Sequence, residues 1–204
     1  MPESVHEKLR EILDLHPMGC PPAPEIIEIL KILFTEDEAR VALGLAFRPF
    51  TVDEIAARAG VDPEAAGLHL ESLADKGMVF ARQKNGAWGY ALFHLIGIFE
   101  NPYRKGVRDE TIGKLTPLWQ KYRAVTGPRL GAETPTITRV VPVKEKIESH
   151  AEILPYEKVD EMIDQAKVVG ISPCPCRQFQ QNCDAPREAC MLFDGACKFL
   201  VERG

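Results

Sequence analysis

TVDEIAARAGVDPEAAGLHLESLADKGMVFARQKNGAWGYAL, residues 51–92, decides the fold. Thr51 and Glu54 stand in capping-box spacing and open a short helix, with Val52, Ile55, Ala56 and Ala59 on one face and Gly60 to end it. Asp62 caps a second helix that has Pro63 at its first position, turns Ala66, Leu70 and Leu73 inward, and stops at Gly77. Two strand-like runs then flank Asn85-Gly86, a pair that accepts positive φ and is the strongest local hairpin signal. Upstream, Thr35 and Glu38 repeat the capping-box spacing, so TEDEARVALGLAF starts a helix near residue 36, after the apolar helix EIIEILKILF at 25–34. Residues 3–15 predict one more helix, followed by the stiff linker HPMGCPPAP at 16–24. Helix, helix, tight turn, helix and β-hairpin, in that order, make a winged helix.

Downstream the pattern loosens after HLIGIFENPYRKG. Residues 108–126 read as one or two helices with Trp119 and Tyr122 inward, and GPRLGAETP as a loop. ITRVVPV at 137–143 reads as a strand that Pro142 confines to an edge or an end. PYEKVDEMIDQAK is an amphipathic helix, and VVGIS at 168–172 a short strand that runs into Cys174. The expected organisation is an N-terminal helix and linker (1–24), a winged helix (25–100), a helical connector (101–130) and a cysteine-rich domain (131–204). The fold class is mainly α with small β (α+β), ending in a small cysteine-rich α/β segment.

The chain has 204 residues and a net charge of −5, which disfavours general binding to nucleic acid or an anionic membrane. No apolar run approaches the roughly 20 residues that span a bilayer. MPESVHEKLREIL reads as a charged amphipathic helix rather than a signal peptide, so the expected location is cytoplasmic. Clustered thiols in that reducing compartment are more often metal ligands or redox groups than disulfides.

DNA binding, the usual work of a winged helix, is disfavoured here. Between Thr51 and Met78, Asp53, Glu54, Asp62, Glu64, Glu71 and Asp75 oppose only Arg58 and Lys76. The expected recognition helix sets Glu64, Glu71 and Asp75 against His69 and Lys76, and Arg82 and Lys84 on the wing are too few to reverse the sign. A scaffold or protein-docking role follows, toward a redox partner protein or a second copy of the chain. His69 fits a solvated helix face, His94 a buried hydrogen-bonded site, and Cys20 a small isolated thiol. His6, His16, His94 and His150 show no paired spacing.

CPCRQFQQNCDAPREACMLFDGAC, residues 174–197, holds five of the six cysteines. If the strand continues, Pro175 stiffens an extended arm that presents Cys174 and Cys176 to the same side. Cys183 lies in a polar loop able to fold back, and Cys190 in a helix opened by Pro186-Arg187-Glu188. On a single helix over 187–199, Cys197 lies about 10 Å beyond Cys190, seven residues at about 1.5 Å each. That is too far for one zinc with bonds of about 2.3 Å, unless Asp194-Gly195 breaks the helix. Cys174, Cys176, Cys183 and Cys190 are therefore the expected ligand set, with Cys197 as the alternate. There is one C-x-C, no C-x-x-C and no histidine after His150, which weakens a zinc site. Four thiolates suit a 4Fe–4S cluster, although the spacing matches neither common ferredoxin run. Zinc stays open as the alternative. Arg177 either offsets the cluster's charge or forms a surface ion pair with Glu188 or Asp184.

GCPPAPEIIEILKILFTEDEARVAL, TVDEIAARAGVD, YALFHLIGIFENP, VVPVKEKIESHAEILPYEKVDEMI and CPCR together resemble a family of iron–sulfur proteins from anaerobic microbes. Members join an N-terminal winged helix to a C-P-C-R cysteine segment, and usually end in a ferredoxin-like domain with two 4Fe–4S clusters. The resemblance implies Cys174, Cys176, Cys183 and Cys190 as the motif positions, with Cys197 outside them. No C-x-x-C-x-x-C-x-x-x-C run occurs here. The resemblance thus implies a truncated form, or a short member that finds its electron partner elsewhere.

The expected function is binding of an iron–sulfur cluster with an electron-transfer role, the winged helix serving for protein docking; no nucleophile–base pair and no phosphate loop occurs, so any enzyme activity belongs to a larger oxidoreductase system. A redox-sensing winged-helix transcription regulator and a structural zinc-binding interaction protein are the alternatives.

Overall fold

A computed structural model describes residues 3–84, 86–105, 109–127, 158–180 and 184–202. The expected strand at 137–143, the loop before it and Cys183 lie outside those residues. The architecture is mainly α with small β.

Three capping boxes set the N-terminal half. Helix α1 (Val5–Asp14) starts at Ser4 with Glu7, α3 (Glu36–Ala42) at Thr35 with Glu38, and α4 (Val52–Ala59) at Thr51 with Glu54. Each satisfies two backbone N–H groups that would otherwise lack partners. Between the first two, α2 (Pro24–Leu33) begins on proline and buries Ile26, Ile29, Leu30 and Leu33. Gly60 closes α4 at φ 68°, a left-handed conformation that favours glycine. Asp62 accepts from the Ala65 N–H at 3.0 Å and opens α5 (Pro63–Asp75).

Strands β1 (Val79–Lys84) and β2 (Ala87–Leu92) pair antiparallel from Val79↔Leu92 to Lys84↔Ala87, with Gly86 in the turn at φ 80°. A bridge from Phe50 to Tyr90 adds the short third member of the wing sheet. Glu38 ties α3 to the end of α5. Its buried carboxylate accepts from Ser72 Oγ at 2.8 Å and from Lys76 Nζ at 2.6 Å.

The sequence pattern had shown no element over α6 (Leu95–Arg104), which buries Leu95, Ile98 and Tyr103 despite Pro102 inside it. Helix α7 (Asp109–Thr126) is a single helix that contains Pro117, and it turns Trp119 and Tyr122 inward as expected. After α8 (Lys158–Gln165), β3 (Val169–Pro173) pairs antiparallel with β4 (Glu188–Phe193), joined by α9 (Pro175–Gln180) and followed by α10 (Asp194–Glu202).

Two expectations need correction here. Cys190 is on a strand opposite Ser172, not on a helix. The Pro186 turn leads instead into EACMLF, which pairs along β3. Nor does the arm at 174–176 stay extended: Pro175 takes the first position of α9, where its fixed φ suits a helix start. The backbone breaks again at Asp194, at φ 45°, so no helix runs continuously from Cys190 to Cys197.

One apolar cluster reaches from Leu9 to Phe199. Phe199 of α10 lies 5.1 Å from the Phe80 ring and 5.7 Å from Phe93. Phe179 of α9 meets Phe99 edge-on at 5.2 Å, and Phe99 meets Trp119 at 5.2 Å. Aromatic pairs therefore fix the cysteine segment against the helical body. Among the described residues, no helix is long and apolar enough to cross a membrane.

Candidate thiolate site

The site forms where β3 ends, β4 passes and α6 finishes. Cys174 follows β3 directly, and its N–H donates to the Arg187 carbonyl at 2.6 Å. Its own carbonyl accepts from Gln178 N at 3.0 Å, the first bond of α9. The Cys174 sulfur lies at the start of α9, where the Arg177 and Cys176 backbone N–H groups favour its thiolate form. These donors, Arg177 N–H first, pull the Cys174 thiol below its ordinary range, with help from the Cys190 side chain and the Arg177 charge.

Cys190 faces it from β4. Burial pushes this thiol up, the neighbouring Cys174 pushes it further, and Arg104 works in the opposite direction. The pair is asymmetric: the anion favours Cys174 and the proton favours Cys190.

Arg104 was not among the expected site residues. It is the last residue of α6, 15% exposed at its side chain, and its charge favours the thiolate form of Cys190. Nη2 donates to Glu100 at 2.9 Å, and Nη1 lies 3.4 Å from Ser172 Oγ. The sequence held one clue, a Glu100–Arg104 pair at i,i+4 spacing, which signals a helix face. Pro102 between them masked it.

The remaining expected residues divide. Cys176 lies in the first turn of α9 with its side chain in solvent. Arg177 donates to the Pro186 carbonyl, rather than to Glu188 or Asp184, and so ties α9 to the chain entering β4. Cys197 is buried against β3, where a Cβ at Gly170 would come within 2.6 Å of its sulfur. The structure thus joins Cys174 to Cys190, sets Cys176 beside them on the chain, and gives Cys197 a packing position. Among the described residues, no three potential metal-binding side chains form one group. Two convergent sulfurs with backbone donors aimed at one of them have the chemistry of a soft-metal or cluster site.

Outside the site, Cys20 is fully buried, and burial drives its thiol up to about 12. His94 is half-buried, its Nδ1 has no partner, and its ring stacks on His16 at 5.0 Å, a contact that sequence spacing did not disclose. On α5, Leu68 is 71% exposed, with Glu64 and Asp75 also on the solvent side. Both cations of that region are engaged internally. Lys76 is held by Glu38, while Arg58 donates to the Gly44 carbonyl at 2.6 Å and lies over the Phe50 ring.

No family model, curated protein or solved structure matches the chain.

Proposed function

We propose that this is a cytoplasmic iron–sulfur protein of the 4Fe–4S type that passes single electrons. In it, Cys174, Cys176, Cys183 and Cys190 hold the cluster, and the acidic winged helix docks a redox partner. The observation that carries this is the meeting of Cys174 and Cys190 beside a largely buried cation, with Cys176 two residues away on the same turn. When bound, the cluster supplies the electron-accepting centre. The chain's own residues supply sulfur ligands, backbone N–H donors and a guanidinium to offset the negative charge of a thiolate-bound cluster.

The docking assignment is supported by α5, where an exposed leucine sits among carboxylates whose nearest lysine is already paired. The same features weigh against a transcription regulator, since phosphate contacts supply much of DNA affinity. A regulator would lose duplex affinity steeply as salt rises.

The test is anaerobic reconstitution with ferrous iron and sulfide, followed by iron and sulfide counting in single cysteine variants. Alanine at 174, 176, 183 or 190 is expected to abolish the bound iron and sulfide, and alanine at 20 to leave them unchanged. One zinc per chain with no sulfide would favour the structural zinc alternative. Wild-type protein that retains neither iron nor sulfide would overturn the cluster assignment.

A further inference from the structure

We infer that the recess between the wing and the turn after α1 is a binding site for a small aromatic carboxylate, in which Arg82 holds the carboxylate and phenylalanine rings hold the aryl group. The site is separate from the thiolates and stands whether or not they bind a cluster.

The sequence of the wing makes the space. Phe80 and Arg82 are two apart on β1 and so face the same side of the sheet. Opposite them β2 offers only Ala91 and Gly89, which leaves little side chain to fill the surface between them. The turn after α1 brings His16 to this gap, and His94, the residue before α6, stacks on it at 5.0 Å. Phe47 meets the His16 ring at 4.8 Å, and Phe93 meets Phe80 at 6.0 Å. The recess they line has a volume of about 370 Å³, at the lower end of the range for small-molecule sites, about 300–1,000 Å³. That is room for one ring and its substituents.

Three phenyl rings alone would take any apolar group, and the polar groups decide the class. Arg82 is exposed and makes no ion pair among the described residues, whereas Lys76 is held by Glu38 and Arg58 by the Gly44 carbonyl. No described carboxylate lines the recess, although the chain carries a net charge of −5. His16 Nδ1 accepts from the Met18 N–H at 3.2 Å, which puts the proton of the neutral ring on Nε2. Burial, with His94 beside it, lowers the His16 pKa and so favours that neutral ring. Its Nε2–H has no acceptor among the described residues.

A guanidinium presents paired N–H donors that match the two oxygens of a carboxylate. An aryl acid uses the guanidinium, the second donor and the ring faces together. A phosphate would leave the rings without a partner, and a neutral arene would leave the guanidinium without one.

Benzoate is the probe, added to the full-length chain at neutral pH and followed through the histidine ring resonances by NMR. Saturable shifts are expected at His16 and His94, with His69 on α5 unmoved. R82Q should weaken benzoate about 10- to 100-fold, the loss expected when a hydrogen bond to a charged group is removed. R82K, which keeps the charge without the fork, should recover part of that loss. Arg82 is exposed, so both variants should fold, and far-ultraviolet circular dichroism checks this.

Two analogues separate charge from ring. Benzyl alcohol, the ring without the charge, should bind at least about 10-fold more weakly than benzoate. Cyclohexanecarboxylate, the charge without the aromatic face, should also bind more weakly. No shift at His16 and His94 up to about 10 mM benzoate would overturn the site. Equal affinity in R82Q and wild type, or for benzyl alcohol and benzoate, would overturn the carboxylate assignment. Equal affinity for cyclohexanecarboxylate and benzoate would overturn the aromatic one.

Discussion

Cys176 and Cys20 carry the same thiol in opposite surroundings, and their chemistry should differ accordingly. Cys176 is in solvent, whereas Cys20 is enclosed and pushed up to about 12, which leaves about one thiolate in ten thousand at pH 8. Since the thiolate is the nucleophile, iodoacetamide on metal-free folded protein should label Cys176 and Cys174 well before Cys20 and Cys197, by a factor above about 100. Peptide mass spectrometry over time checks this, and equal rates at all four would contradict the burial described. His16 offers a test by pH. Burial, reinforced by the stacked His94, lowers its pKa from 6.5, and Phe47 and Arg82 line the same recess. The folded state therefore resists protonation. The contribution of the pair is fully present above pH 6.5 and is lost as pH falls toward the lowered folded value. Between about pH 7.5 and about pH 5.5, the melting temperature of wild type should fall more than that of His16→Phe, which keeps a ring in the stack but cannot titrate. Parallel melting curves against pH would remove the proton linkage.

The second sheet exists because EACMLF prefers pairing to helix, and its tight contact with α10 gives an element-scale prediction. Gly170 on β3 leaves room for the buried Cys197 sulfur, and an added Cβ would meet that sulfur at 2.6 Å. Gly170→Ala should therefore destabilise the protein by about 1–3 kcal/mol, the usual cost of overpacking. In a Cys197→Ala background the same change should cost clearly less, because the obstructing sulfur is gone. A double-mutant cycle by urea denaturation reads the coupling, and additive effects would deny the contact. This element also marks where sequence legibility ended. Helices α3, α4 and α5 were readable because each start carries its own chemical signal, at Thr35, Thr51 and Asp62. The turn at Gly86 was equally local. Residues 188–193 carry no such signal. Pro186-Arg187-Glu188 resembles a helix start, and only pairing with β3 decides otherwise. The position of Arg104 beside Cys190 joins residues far apart in the chain, which no local spacing encodes.

At the scale of the whole molecule, the helical body and the cysteine segment share one core rather than touching through a polar seam. Phe199 packs on Phe80 and Phe93, Lys105 lies over its ring at 5.6 Å, and Phe179 reaches Trp119 through Phe99. Phe199 is 5% exposed, so its ring is paired with groups that the winged helix itself must order. Removing it should be felt throughout. Phe199→Ala is expected to lower unfolding stability by about 3 kcal/mol, within the range for large-to-small core changes. The loss should appear at the same denaturant concentration in the helical signal and in tryptophan fluorescence, because Trp119 belongs to the connected aromatic cluster. If the cysteine segment were instead an independent appendage, the variant would melt it alone, and the tryptophan transition would stay at its wild-type midpoint. A shared core also explains why α6 can place Arg104 against Ser172 of β3, opposite Cys190 on β4. The aromatic contacts hold the two parts in register, so a change of charge at the thiolate pair acts on a helix whose other side packs against the body of the winged helix.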